Sequence, residues 1–327
     1  MPRVLVAPAL LNRQPGPHEE VLSAAGLEIV YPENSDALYD IPTLIENLAG
    51  IDAVVAGMEP FTPEVLAASR LRVIARVGVG YDAIDIPAAS SRGVAVTITP
   101  GTNEISVAEQ AIALIIGVFR GNPWRDRSVR EGTWIRRSLP RLCGKTLGLV
   151  GMGRIGRAVV SRARGLGMRV IAADPFADKA FAAANDVTLC ELDELWGQAD
   201  VISLHAPATP ETYNLINAET IAKMKPTAVV VNTARGTLVD EDALAEALAS
   251  GRLFGAGLDV FKTEPLPSGS PLHKLDNVLM SPHMGGLDEE SQEAMTRLAA
   301  QCVADLYQGK WPEGCVVNDE LRDGWAW

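Results

Sequence analysis

The chain has 327 residues, more than one ordinary domain holds, so two are expected. With 47% hydrophobic and 21% charged residues it has the balance of a globular protein and not of a disordered or fibrous one. A formal charge of −12 argues against nucleic acid and anionic membrane as partners, and the largest apolar run, Ala111–Phe119, is about half of what spans a bilayer. The segment Met1–Leu11 lacks the long apolar core and small-residue cleavage site of a secretory signal, so the expected compartment is the cytoplasm. Cys143, Cys190, Cys302 and Cys315 stand far apart without a C-x-x-C pair, which suits reduced thiols and gives no metal signal.

In chain order, Val4–Ala7, Leu27–Tyr31, Ala53–Val55, Val73–Arg76 and Val94–Thr97 read as short apolar strands. Between them His18–Ala25, Ile41–Leu48 and Thr62–Ala68 read as helices, the last capped by Thr62 with Pro63 in its first turn. Near-continuously apolar strands alternating with helices predict an α/β fold, a parallel sheet covered on both faces. The long amphipathic stretch Asn103–Phe119 follows, then a basic stretch from Arg120 to Arg141, read as a solvated or subunit-contacting face. A second α/β series has strands at Leu147–Val150, Arg169–Ala173, Val201–Leu204, Ala228–Val231, Ala256–Val260 and Val278–Ser281. One more helix, Glu289–Leu306, precedes an irregular tail whose Trp325 and Trp327 are expected to dock on the protein's own surface.

The strand Leu147–Val150 runs directly into Gly151-Met152-Gly153-Arg154-Ile155-Gly156 and a helical pattern, the context in which a G-x-G-x-x-G motif signals dinucleotide binding. Gly151 allows the tight turn, Gly153 lets the backbone approach a pyrophosphate, and Gly156 permits close helix–strand packing. The backbone N–H groups of Arg154 and Ile155 open the helix towards the phosphates, with the Arg154 side chain exposed. About 20 residues on, Asp174 ends the next strand, where a carboxylate accepts from both ribose hydroxyls and repels a 2′-phosphate, favouring NAD over NADP. The motif lies too far into the chain for an L-type lactate or malate dehydrogenase, in which it would sit near the N-terminus.

Three further motifs end strands of the second series: Val231–Gly236, Asp259–Pro265 and Ser281–Gly286. They bring one Arg, one Glu and one His to the carboxyl ends of a parallel sheet, where such folds bind ligands. Arg235 can hold a carboxylate with its planar fork, His283 can donate a proton to a developing alkoxide, and Glu264 can fix the imidazole tautomer. That set suits reduction of a 2-oxo acid by hydride transfer. His205 is read as structural or as part of the cofactor wall. His18, at the start of a surface helix, and His273, in a Pro-rich loop, are assigned no role.

These motifs, with Arg76-Val77-Gly78-Val79-Gly80-Tyr81-Asp82 and His205-Ala206-Pro207-Ala208-Thr209, resemble those of the D-2-hydroxyacid dehydrogenase family over nearly the whole chain. The resemblance implies a Rossmann-type doubly wound NAD domain, expected at residues 101–287. It also implies a smaller flavodoxin-like substrate domain split between residues 1–100 and 288–327, and a homodimer. It further implies that Gly78, Val79 and Gly80 offer N–H groups to the substrate carboxylate, and that Thr233, Ala234, Asp259, Gly285 and Gly286, with Pro207, line the cofactor. Leu287 stands where many relatives carry a small polar residue. Glu264 argues against a formate dehydrogenase, which pairs its His with Gln, while an NAD-sensing corepressor-like binding protein would keep the same triad. Consumption of NADH on adding 2-oxo acids separates that last reading.

Within the family, Glu131–Trp134 and Gly144–Gly148 most resemble the phosphoglycerate dehydrogenase branch, and Arg76 adds a cation beside the Gly78 turn. That branch usually carries an Arg after the third strand, where this chain has Ala56-Gly57-Met58-Glu59-Pro60, with no base and one acid. Its regulatory extension has no counterpart before Trp327. The expected substrate is therefore a small unphosphorylated 2-oxo acid, glyoxylate or hydroxypyruvate, with Met58 touching its C3 substituent.

Overall fold

The computed structural model describes all residues, Met1–Trp327. Two compact units result, Met1–Asn103 with Leu287–Trp327, and Glu104–Gly286. In the first, strands β1 (Arg3–Val6), β2 (Glu28–Val30), β3 (Ala53–Ala56), β4 (Val73–Arg76) and β5 (Ala95–Thr97) form one parallel sheet in the order β2-β1-β3-β4-β5. That is the flavodoxin-like order. The helices between them are α1 (Pro17–Ala24), α2 (Ile41–Asn47), α3 (Pro63–Ala68) and α4 (Ile86–Ser91). Asp40, Thr62 and Asp85 cap the last three, each followed by a proline that loses nothing in a first helical turn. Leu44, Leu48, Val65, Leu66 and Ala89 from these helices bury one face of the sheet.

The second unit opens with α5 (Glu104–Arg120) and α6 (Asn122–Arg130). It continues β6 (Thr146–Val150), α7 (Arg154–Gly165), β7 (Arg169–Ala173), α8 (Lys179–Ala184), β8 (Val187–Leu189), α9 (Leu192–Gln198) and β9 (Val201–Leu204). It ends with α10 (Ala218–Lys223), β10 (Val229–Asn232), α11 (Glu241–Ala249), β11 (Gly255–Leu258) and β12 (Val278–Met280). All seven strands are parallel, in the order β12-β11-β10-β9-β6-β7-β8. Strand order reverses between β6 and β9, the switch point at which doubly wound sheets bind dinucleotides. Leu114, Ile115, Val159 and Val160 cover one face, and Leu195, Ile221, Leu244 and Leu248 the other.

After the second unit, α12 (Glu289–Tyr307) returns to the first and lays Ala299, Ala300, Val303 and Leu306 over Val4, Val6, Val73 and Ala75, the sheet face that α2–α4 leave open. The tail docks as expected: Trp325 Nε1 donates to Gly93 O at 2.9 Å and Trp327 meets Tyr307 edge-on. One reading of the sequence is extended and one needs correction. The basic stretch contains a helix, α6, and the guanidinium groups of Arg125 and Arg137 both lie within cation–π distance of the Trp124 ring. His18 is fully buried, because α12 lies against α1 and removes its free face; the imidazole meets the Tyr31 hydroxyl at 3.2 Å, which itself donates to Glu19.

Candidate active site

The turn after β10 is built by Asn232, fully buried, whose amide nitrogen donates to Arg235 O at 2.8 Å while its oxygen accepts from Ala234 N at 3.0 Å. This Asx-type clasp sets the backbone from which the half-buried Arg235 side chain projects, its Nη1 donating back to Ala234 O at 2.6 Å. Beyond β11, Phe261 N donates to Glu264 Oε1 at 2.8 Å, leaving Oε2 for His283 Nδ1 at 2.7 Å. An ionised carboxylate only accepts, so Nδ1 carries the proton and the acid–base nitrogen is Nε2. Burial alone would raise the Glu264 carboxyl. The bonds from His283 and Phe261, with the charges of His283 and Arg235 nearby, outweigh it and hold the carboxyl below its usual range. His283 itself adopts φ 55°, a left-handed conformation uncommon outside glycine, so its surroundings must impose it.

The glycine turn between β6 and α7 follows a strand of the same parallel sheet, at its carboxyl end. A Cβ on Gly151 would sit 2.6 Å from His205 O, and one on Gly156 2.5 Å from Gly151 O, while nothing lies within 4 Å of that position on Gly153. The first and third glycines are therefore demanded by the protein's own packing, and the second is open to a ligand. The first-turn N–H groups of Arg154 and Ile155 have no helical acceptor, and Arg154 is exposed. Asp174 accepts from Met152 N and Phe176 N, both at 2.7 Å, so it braces the turn as well as ending β7. Of the ten buried polar atoms without a protein partner, two, Thr233 Oγ1 and His205 Nδ1, belong to residues at the carboxyl ends of this sheet's strands. Such atoms are costly to bury unpaired, and both fit a nucleotide supplying the missing bonds. Pro207 is exposed, its carbonyl taking the Thr212 hydroxyl.

His205 Nε2 meets Ser203 Oγ at 2.9 Å, and burial pushes its pKa down from 6.5 to about 4. The folded protein thus binds this proton less readily than the unfolded chain does. Its stabilising contribution is full above 6.5 and is lost as pH falls from 6.5 towards 4, by up to about 3 kcal/mol at ~1.4 kcal/mol per unit. His18 is lowered too, chiefly by burial, and acts in the same direction. Melting temperature is expected to drop between pH 7 and 4.5, and His205→Asn to flatten that slope; an unchanged slope would show that His205 stays neutral in neither state.

In the first unit, Gly78 turns at φ 139° with the Arg76 guanidinium over it. Gly78 N donates to Thr99 Oγ1 at 2.9 Å, so of the three N–H groups expected to serve a carboxylate, those of Val79 and Gly80 are the ones this turn can offer. Arg76 also reaches the Val77 carbonyl, and its Nη2 lies 3.0 Å from Met58 Sδ. Glu59 is not the outward acid its sequence position suggested. It is 2% exposed and accepts from Gly57 N at 2.6 Å, because the loop folds its carboxylate back onto its own backbone; burial pushes the carboxyl up.

Asp259 differs from the simple cofactor-lining role expected of it. Its carboxylate accepts from Ser281 Oγ, Met284 N and Gly285 N at 2.6, 3.0 and 2.7 Å, so both it and Gly285 are committed to the loop that carries His283, while Gly286 follows half-buried. Sequence reasoning missed Ser281 and Gln110 in this network; the only signal was a polar Gln at a helix position whose i−3 and i+4 neighbours, Val107 and Leu114, are apolar.

Comparison with known proteins fits this geometry. Residues 112–285 match the family described as D-isomer specific 2-hydroxyacid dehydrogenase, NAD binding domain. A glyoxylate reductase of Korarchaeum cryptofilum is 41% identical over 286 residues, 85% of this chain and 86% of that protein. A D-3-phosphoglycerate dehydrogenase of Mycobacterium tuberculosis is 45% identical over 267 residues, 79% of this chain but 50% of that protein, so the chain spans about half the length of that relative. The solved structure of a glyoxylate reductase from Paecilomyes thermophila matches with a TM-score of 0.84 at 30% identity, covering 98% of this chain and 99% of that one. With a doubly wound sheet, a glycine turn shaped for a dinucleotide and these relatives in agreement, the chain belongs to the D-isomer specific 2-hydroxyacid dehydrogenases and is an NAD-dependent oxidoreductase.

Proposed function

We propose that the chain reduces a small unphosphorylated 2-oxo acid, glyoxylate or hydroxypyruvate, to the D-2-hydroxy acid or runs the reverse oxidation, with Arg235, Glu264 and His283 as its catalytic set. The observation that carries this reading is the 2.7 Å bond between His283 Nδ1 and Glu264 Oε2, with Arg235 charge beside it. Bound NADH supplies the hydride. His283 holds a proton on Nε2 and gives it to the carbonyl oxygen as negative charge develops there; in the reverse direction it takes the proton back. Glu264 keeps the ring oriented and stabilises its cationic form. Arg235 binds the substrate carboxylate through its fork. The glycine turn with Arg154 and Ile155 holds the pyrophosphate, Asp174 the ribose, and Thr233 and His205 the nicotinamide end.

The loop Ala56–Pro60 supports an unphosphorylated substrate. The loop itself offers no base and its acid is folded inward; the one guanidinium beside it, Arg76, is turned onto the Val77 carbonyl and Met58, so a phosphate there has at most that single cation for charge-assisted bonds of about 1.5–3 kcal/mol each. Met58 is then the residue set to meet the C3 substituent. The similarity to D-3-phosphoglycerate dehydrogenases favours the competing reading, a phosphorylated substrate. Side-by-side kcat/KM for hydroxypyruvate and its 3-phosphate, followed by NADH absorbance, decides between them. We expect the unphosphorylated acid to be preferred; a tenfold preference for the phosphate would overturn this reading. We further propose a cytoplasmic homodimer, supported by the exposed Val129, Trp134 and Ile135 beside the arginines of residues 120–141.

A further inference from the structure

Asp259 is 1% exposed, and every hydrogen bond it accepts from outside α5 comes from one loop. Gly285 N, Met284 N and Ser281 Oγ reach its carboxylate, and His283 N donates to its backbone oxygen at 2.7 Å. These four bonds surround the one residue of the loop held in a left-handed conformation, His283. A strained residue relaxes unless its neighbours over-determine it, and here the neighbours are fastened to a single buried anion. That anion is in turn reached by α5. Gln110 Nε2 donates to Ser281 Oγ at 2.7 Å and lies 3.5 Å from Asp259 Oδ1. The amide thereby orients the Ser281 hydroxyl so that its proton points at the carboxylate, a two-step relay of donors into a buried charge. Gln110 sits on the apolar stripe of α5 between Val107 and Leu114, both buried, where a polar side chain is tolerated only with a partner.

We propose that Gln110 is a positioning residue: through Ser281 and Asp259 it holds the loop 281–285 in the shape that keeps His283 Nδ1 on Glu264. The proposal rests on the reading of His283 as proton donor. Without the amide, the Ser281 hydroxyl is free to turn away, Asp259 loses part of its neutralising shell, and the loop relaxes towards an ordinary backbone conformation at His283.

The test uses Gln110→Met, of similar length but without a donor, alongside Ser281→Ala and the double variant. Each single change is expected to lower kcat on hydroxypyruvate roughly tenfold, since small misplacements of a catalytic group have effects of that order or larger. The double variant should fall within about twofold of either single one, because both cut the same relay. NADH dissociation constant and KM should stay close to wild type, and melting temperature should fall by only a few degrees, the cost of one donor lost from a buried carboxylate. The ring proton resonance of His283, identified by its loss in His283→Asn, should shift and broaden in both single variants while the other histidine resonances stay put. An unmoved His283 resonance overturns the proposal, as does a fall in kcat matched by equal losses of NADH affinity and melting temperature. Should the wild-type protein turn over no 2-oxo acid while the resonance still moves, the positional link stands and the functional reading is what fails.

Discussion

His283→Asn is expected to reduce kcat by roughly 10²–10⁴ while NADH binds within about twofold of its wild-type affinity, the range for a lost general acid. Asparagine is the cleaner replacement because it tolerates the left-handed backbone found at this position, whereas alanine adds backbone strain to the loss of the imidazole. The side chain is one-third exposed and lies in the second unit's loop cluster, not in its core, so the fold does not depend on it. Glu264→Gln should lose less, about 10–100-fold: the amide oxygen can still accept from His283 Nδ1, but the anion is gone and the amide NH2 then faces the Phe261 N–H. The carboxyl of Glu264 is held below its usual value despite burial. The His283–Glu264 pair therefore persists as pH falls through the ordinary carboxylate range and is lost only further into acid. Steady-state rates and NADH fluorescence titration for the three proteins check this. A His283→Asn enzyme within a factor of five of wild type would remove His283 from the chemistry.

The second large effect is structural. Gly236→Ala would place a Cβ 1.9 Å from the Phe261 carbonyl carbon, 2.1 Å from its oxygen and 2.3 Å from Lys262 N. All three are backbone atoms, so no side-chain rotation relieves the overlap, and one of two loops must move. The moving candidates are the turn that bears Arg235 and the segment whose Phe261 N–H anchors Glu264. Stability is expected to fall by about 3 kcal/mol or more, with turnover falling alongside it. Gly197→Ala is the control: it lies in α9 with nothing within 4 Å of the added atom, and should be neutral or stabilising by up to about 1 kcal/mol. Urea midpoints for the two variants that came out equal would show that the Gly236 contact relaxes freely.

The two sheets were legible because their strands are apolar at nearly every position and, in the first unit, the helices α2–α4 carry caps and prolines at the right places. The glycine turn and the Arg, Glu and His of the site were legible for the same reason: each sits at a strand end, where the fold's topology already directs ligands. Elements without an apolar stripe escaped. Helix α6 reads Asn-Pro-Trp-Arg-Asp-Arg-Ser-Val-Arg and shows no periodicity, and β8 is three residues at a sheet edge. The inward fold of Glu59, the burial of His18 and the Gln110–Ser281–Asp259 relay were hidden for a different reason. Each is a contact between segments far apart in the chain, and no local pattern encodes which polar group another will meet.

The return of α12 to the first unit has a consequence for biosynthesis. Residues 1–103 leave the ribosome before α12, with Val4, Val6, Val73 and Ala75 on a sheet face that Leu22 of α1 covers only in part. That face waits through the synthesis of Glu104–Gly286, on the order of 10–40 s at typical elongation rates of 5–20 residues per second. The uninterrupted second unit can collapse in that interval, while the earlier-made one stays an unfinished sheet. Nascent chains are thus most exposed to misassociation before Ala299–Leu306 emerge, and a chaperone that binds apolar strands would find its target in the N-terminal hundred residues, not in the dinucleotide fold.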